Sequence, residues 1–168
     1  LPTHDVLTKL PNRLLILDHL LQAMHEALRS GDKIVVMFLD FDGFKQVNDS
    51  CGHDAGDAIL REVACRLTQV IRLEDTAARI GGDEFILVLN NIKKRNVVER
   101  IGKDIIHLIN QPVVFNQLSL KVGVSIGVSC FPADGNDADS LINVADSAMY
   151  QVKQSGKNRM LMTCVIND

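Results

Sequence analysis

Arg79-Ile80-Gly81-Gly82-Asp83-Glu84-Phe85-Ile86-Leu87-Val88-Leu89 sets two glycines and two acids directly before an apolar run. Glycine adopts the positive φ of a tight turn without steric cost, so this stretch predicts a hairpin whose short turn carries Asp83 and Glu84 between buried strands. Two carboxylates at such a tip suit a divalent cation.

Outward from the hairpin, periodicity supplies the neighbouring elements. Leu14, Leu17, Leu21, Met24 and Leu28 recur at helical spacing from Asn12 to about Ser30, and Gly31 marks a stop. Lys33 to Asp40 reads as a buried strand. A second helix, from about Ala55 to Arg72, aligns Ile59, Leu60, Val63, Leu67, Val70 and Ile71. A third carries Val97, Val98, Ile101, Ile105, Leu108 and Ile109 and ends at Gln111-Pro112. Residues 113–121 suggest a small hairpin.

From Val122 to Cys130, apolar residues alternate with Gly123, Ser125, Gly127 and Ser129, a small face that invites close packing by a helix. Ser140 to Ser155 supplies it, with Leu141, Ala145, Ala148, Met149 and Val152 inward and Gly156 as the residue after the cap. The order α-β-α-β-β-α-β-α-β predicts an α/β fold with a mixed or antiparallel central sheet flanked by helices, not a doubly wound one. No G-x-G-x-x-G follows a strand, which argues against dinucleotide binding.

Composition narrows the classes. The chain has 168 residues, 46% hydrophobic and 23% charged, enough for one domain with a real core. A net charge of −3, six Phe, one Tyr and no Trp give no basic or stacking surface for nucleic acid. The same deficit argues against an RNA-binding ferredoxin-like module. Cys51, Cys65, Cys130 and Cys164 are widely spaced, which predicts reduced thiols rather than a zinc site or disulfide framework. The longest uninterrupted apolar run, Ile34 to Leu39, falls far below the ~20 residues of a membrane span. Leu1 is not an initiator Met and no signal-peptide pattern follows, as expected of a piece of a longer protein.

The first strand ends in Leu39-Asp40-Phe41-Asp42-Gly43-Phe44-Lys45. If it pairs beside the glycine hairpin, Asp40 and Asp83 converge on one oxygen-rich point suited to Mg²⁺. Taken singly, an acid at a strand end or in a turn is as readily a solvated group. An EF-hand is excluded, because Phe44 and Lys45 stand where that loop needs a ligand and a glycine.

Downstream, Phe44-Lys45-Gln46-Val47-Asn48-Asp49 leads into Gly52-His53-Asp54-Ala55-Gly56-Asp57. With Gly81-Gly82-Asp83-Glu84-Phe85, these segments resemble the GGDEF domains, bacterial diguanylate cyclases that make cyclic di-GMP from two GTP. The opening Asp5-Val6-Leu7-Thr8-Lys9-Leu10-Pro11-Asn12-Arg13 resembles the family's Asp-x-Leu-Thr-Gly-Leu-Pro-Asn-Arg, with Lys9 at the usual glycine. The closing segment from Ala145-Asp146 to Gly156-Lys157-Asn158-Arg159 also matches, with Lys157 where Arg is commoner. The resemblance covers about His4 to Arg159 and treats residues 1–168 as a single GGDEF domain.

What the resemblance implies is specific. The fold is palm-like, with a ferredoxin-like core of nucleotidyl cyclase type. Asp40, the Phe41 carbonyl, Asp83 and Glu84 hold Mg²⁺, with Mn²⁺ as an alternative and two ions per active half-site. Asp83 or Glu84 assists deprotonation of the 3′-hydroxyl. Asn48 and Asp57 hold the guanine edge, whose N1–H and N2 amino donors suit a carboxylate; Lys45, Lys153 and Lys157 meet phosphate. Phe44 and His53 border the substrate. Arg72 and Asp75 match an inhibitory Arg-x-x-Asp site for product cyclic di-GMP. Without the resemblance, Asp57 would be a first-turn acid favoured by the helix dipole, the lysines a solvated face, and Arg72 with Asp75 a surface pair.

The implied enzyme is a homodimer in which two bound GTP face each other, with an upstream sensory domain and, as a further option, a downstream EAL domain. It is cytoplasmic, or the cytoplasmic part of a membrane-anchored protein, with no membrane contact of its own. A non-enzymatic alternative is a GTP- or cyclic di-GMP-binding module regulating an attached domain.

Overall fold

A computed structural model describes residues 2–168. In chain order the elements are α1 (Arg13–Ser30), β1 (Lys33–Asp42), α2 (Phe44–Cys51), α3 (His53–Val70), β2 (Thr76–Gly81), β3 (Glu84–Ile92), α4 (Arg95–Ile109), β4 (Val113–Phe115), β5 (Leu118–Leu120), β6 (Gly123–Phe131), α5 (Ala138–Gln154) and β7 (Met160–Met162). Five strands form one sheet in the order β2-β3-β1-β6-β7, while β4 and β5 form the separate small hairpin. Only the β6–β7 pairing is parallel among the described pairs of the large sheet, so the sheet is mixed, as predicted.

The apolar run of β1 makes it the central strand, because a strand covered on both faces must be apolar on both. Its Val35, Met37, Leu39 and Phe41 pack toward α3 and α4, and its Val36 and Phe38 toward α1 and α5. The small face of β6 does what its residues predict. A Cβ at Gly127 would overlap the α5 backbone at Ala145 O and Met149 N and lie 2.9 Å from Ala148 C, so only glycine permits this approach. Ser129 Oγ, fully buried there, donates to Leu141 O at 2.6 Å.

Three expectations need correction. The inward face of α1 is Ile16, Leu20, Ala23, Met24 and Ala27, while Leu14, Leu21 and Leu28 are exposed. This helix is apolar on more than one stripe, and the stripe carrying alanines is the one turned to the core. The short α2 precedes α3 where the spacing predicted nothing helical. Finally, Cys130 and Cys164 are joined as a disulfide with Cα atoms 6.0 Å apart, leaving Cys51 and Cys65 free. The chain after β7 continues beside β6, with Thr163 N donating to Val128 O at 3.0 Å, and so carries Cys164 to Cys130.

Candidate active site

The end of β1 aims the acids. Phe41 is buried and packs against Phe85 with ring centroids 5.3 Å apart, so strand alternation turns Asp40 and Asp42 to the opposite face, where α5 lies. Asp40 pairs with Glu84 across the β1/β3 ladder. One residue earlier, Gly82 (φ 49°) and Asp83 form the hairpin turn, with Gly81 paired to Glu84.

The N-terminal motif braces this turn. Arg79 Nε donates to Gly82 O at 2.9 Å, and its Nη1 donates to Asp5 Oδ1 at 3.1 Å. Asp5 Oδ2 also accepts from Thr8 N and Thr8 Oγ1, each at 2.8 Å. Burial works against the Asp5 carboxylate, but the Thr8 bonds and the Arg79 charge prevail and lower its pKa. Lys9 adopts φ 66°, the left-handed geometry that its glycine counterpart would serve.

The carboxylates crowd one another. Burial, then the Asp40 charge, pushes Asp83 up to about 6. Glu84 is raised by burial, Asp40 and Asp146, against the pull of Arg13; Asp146 is raised by burial and Asp40. Such a set of hard oxygen donors with too little positive charge fits a divalent cation. Asp146 and Arg13 were not among the expected site residues, although Asp146 lies two turns before Lys153 on one helix face.

Facing the acids, Lys153 Nζ donates to Asp42 Oδ1 at 2.7 Å and Phe41 O at 3.0 Å, and lies 3.1 Å from Asp40 Oδ1. Burial opposes its charge, but Asp42 and Asp40 outweigh that and raise its pKa. Asp42 further accepts from Ser125 Oγ at 2.8 Å and Asn158 N at 2.9 Å. Asp42 and Ser125 were also missed as site residues, since only the folded chain joins them.

An open cleft of about 420 Å³ gathers Asp40, Phe41, Phe44, Lys45, Asp83, Lys153 and Lys157, all expected, together with Tyr150. Glu84 is not among the cleft's lining residues; it stands across the β1/β3 ladder from Asp40. Phe44 is largely buried, so it contributes an anchor more than a contact surface. Next to the cleft, Asn48 Oδ1 on α2 is buried without a hydrogen-bond partner among the described residues. A Cβ at Gly56 would lie 2.8 Å from Asn48 Cγ and 3.2 Å from Phe44 Cζ. Asp57, half-buried, follows on the first turns of α3, and His53 is exposed at its start.

Arg72 and Asp75 lie outside this cleft. Arg72 Nε and Nη2 each donate to the buried Asp75 carboxylate at 2.9 Å, and Asn90 N donates to it at 3.0 Å.

A mixed sheet flanked by helices, with acids on its central strand and adjoining hairpin, defines the palm-like nucleotidyl cyclase class. The family model described as "Diguanylate cyclase, GGDEF domain" matches residues 2–159, and the chain belongs to that family. It is 41% identical over 158 residues to the bifunctional diguanylate cyclase/cyclic di-GMP phosphodiesterase MucR of Pseudomonas aeruginosa, covering 94% of this chain and 23% of that protein. It is 36% identical to diguanylate cyclase A of Treponema denticola, covering 96% of this chain and 44% of that one. The chain therefore spans less than half the length of these curated relatives. The GGDEF domain of TpbB (YfiN) from Pseudomonas aeruginosa superposes with a TM-score of 0.92 at 32% identity, covering 96% of this chain and 94% of that one. The GGDEF domain of DgcB from Caulobacter crescentus, solved in complex with c-di-GMP, gives 0.86 at 32% identity, covering 95% of each chain.

Proposed function

We propose that residues 1–168 form one diguanylate cyclase domain that condenses two GTP into cyclic di-GMP and two pyrophosphates. The observation that carries this reading is the meeting of Asp40 and Asp83 with Lys153 at one cleft, with Glu84 opposite Asp40 in the ladder, in a chain whose Gly-Gly-Asp-Glu-Phe motif is intact.

Asp40, the Phe41 carbonyl, Asp83 and Glu84 are the residues that would hold Mg²⁺ or Mn²⁺, two ions per half-site. Bound there, the metal would supply charge neutralisation at the α-phosphate and acidify the 3′-hydroxyl. Asp83 or Glu84 would assist deprotonation of the hydroxyl, their carboxylates standing beside Asp40 at the hairpin. Lys45, Lys153 and Lys157 bind phosphate. Asn48 and Asp57 read guanine, whose donors satisfy the orphaned Asn48 oxygen; adenine lacks the N1–H and N2 donor pair. Phe44 anchors the cleft wall beside the substrate, and His53 lies near it.

Because each GTP supplies one hydroxyl and one α-phosphate, the active species is a homodimer with two clefts facing. Arg72 and Asp75 serve product feedback, the exposed part of Arg72 meeting the ligand while Asp75 fixes its guanidinium. The domain works in the cytoplasm, where GTP is available, under an upstream sensory segment, with an EAL domain as an optional downstream neighbour.

The test is incubation of the concentrated domain with GTP and Mg²⁺, following cyclic di-GMP and pyrophosphate by chromatography, with ATP as control. Product from GTP alone is expected, and its loss in folded Asp83→Ala or Glu84→Ala. GTP binding without product, even after fusion to a dimerising segment, would replace the enzyme with a regulatory module.

A further inference from the structure

Lys153 Nζ has three protons and three acceptors: Asp42 Oδ1, Phe41 O and Asp40 Oδ1. Two of these, Phe41 O and Asp40 Oδ1, belong to the donor set assigned above to the metal. The third is different in kind. Asp42 is anchored by Ser125 Oγ from β6 and by Asn158 N from the segment after α5, so its carboxylate keeps its place whatever happens at the hairpin.

We propose that Lys153 is an internal cation that competes with the metal for Phe41 O and Asp40, and that Asp42 is the pivot on which it turns toward phosphate. The proposal rests on the metal-site reading above. A metal on those two oxygens and an ammonium within 3.0–3.1 Å of the same two would stand at close range with little water between them. One must leave. An arriving triphosphate offers Lys153 new acceptors and so releases Phe41 O and Asp40. Metal and nucleotide are thereby coupled through a side chain of the protein, beyond their direct contact. Because such coupling is reciprocal, metal binding also favours phosphate capture by Lys153.

Lys157 provides the internal control. It lines the same cleft, yet the contacts that hold Phe41 O and Asp40 come from Lys153. A general effect of positive charge would be shared by both lysines, whereas displacement is a property of Lys153 alone.

The experiment is Mn²⁺ titration by electron paramagnetic resonance on the whole domain, with and without 3′-deoxy-GTP, which binds but lacks the attacking hydroxyl. Parent, Lys153→Met, Lys157→Met and Asp40→Asn are compared after their melting curves confirm folding. Without nucleotide, Lys153→Met should bind Mn²⁺ about tenfold tighter than the parent and Lys157→Met nearly as the parent. The factor by which 3′-deoxy-GTP improves Mn²⁺ binding should be smaller in Lys153→Met. Equal gains in both lysine variants, or none in Lys153→Met while Asp40→Asn abolishes binding, would overturn the proposal and leave the metal site standing. Mn²⁺ binding indifferent to Asp40→Asn would overturn both. Should Lys153→Met not fold, nitrogen-15 spectra of the parent decide: the Lys153 ammonium signal should be slow to exchange before ligands, shift when Mg²⁺ alone is added and shift further with nucleotide, and a signal that Mg²⁺ alone leaves unmoved would overturn the proposal.

Discussion

Asp40 and Glu84 stand opposite each other in the β1/β3 ladder, with Asp83 one residue before Glu84. Like charges directly across a ladder repel, so the site carries strain that function would relieve. At Asp83, burial first and the Asp40 charge second push the pKa up to about 6 from an ordinary value of 3.8. The folded state therefore holds a proton that the unfolded chain has already lost. Stability from this group is full below about 3.8 and is lost as pH rises through about 6. In chelator, Asp83→Asn should be more stable than the parent at pH 7.5 by about 1 kcal/mol, discounted for partial exposure, and the gap should close near pH 4. Thermal denaturation across pH measures it. The same proton must leave for metal to bind, so Mn²⁺ affinity should fall below about pH 6, approaching tenfold per unit.

Gly56 and Asn48 make a separate prediction. The methyl of Gly56→Ala would displace the Asn48 side chain, whose orphaned oxygen is assigned to guanine. The helix-propensity gain of about 1 kcal/mol offsets the steric cost, so stability should change little. GTP affinity by calorimetry should fall more than about tenfold.

Lys9 holds a left-handed conformation without a glycine. Lys9→Gly removes a penalty of about 1–2 kcal/mol and loosens the unfolded chain, for a net gain of about 0.5–1 kcal/mol. A higher denaturation midpoint with unchanged slope is the expected reading.

Arg79 and Asp5 form a half-buried pair behind the hairpin turn. Removing either leaves the other without its charge partner, so Arg79→Ala and Asp5→Ala should each cost about 2–3 kcal/mol, and together less than the sum. Urea melts of the full cycle test this, and both single variants should lower Mn²⁺ affinity by loosening Gly82 and Asp83.

The hairpin, the carboxylate end of β1 and the inward face of α5 were legible because each is a local pattern: a glycine pair, a strand terminus, a 3.6-residue stripe. The small face of β6 was legible for the same reason. Other parts depend on partners far along the chain. The Asp42, Ser125, Lys153 and Asn158 cluster draws on three separate elements, and the Cys130–Cys164 link follows from the placement of a three-residue strand. α2 escaped notice because it is eight residues long, mostly polar, and is preceded by Gly43, which offers no side-chain cap. α1 offered two apolar stripes, and only the packed molecule selects between them.

Asp42 leaves the ribosome long before Lys153, which neutralises it in the finished domain, and before Ser125 and Asn158, which hydrogen-bond it there. A nascent chain can therefore make the acidic hairpin, but it cannot complete the phosphate side until its last strand is nearly out. Synthesis thus delivers the carboxylates of the cleft well before the lysine that balances them.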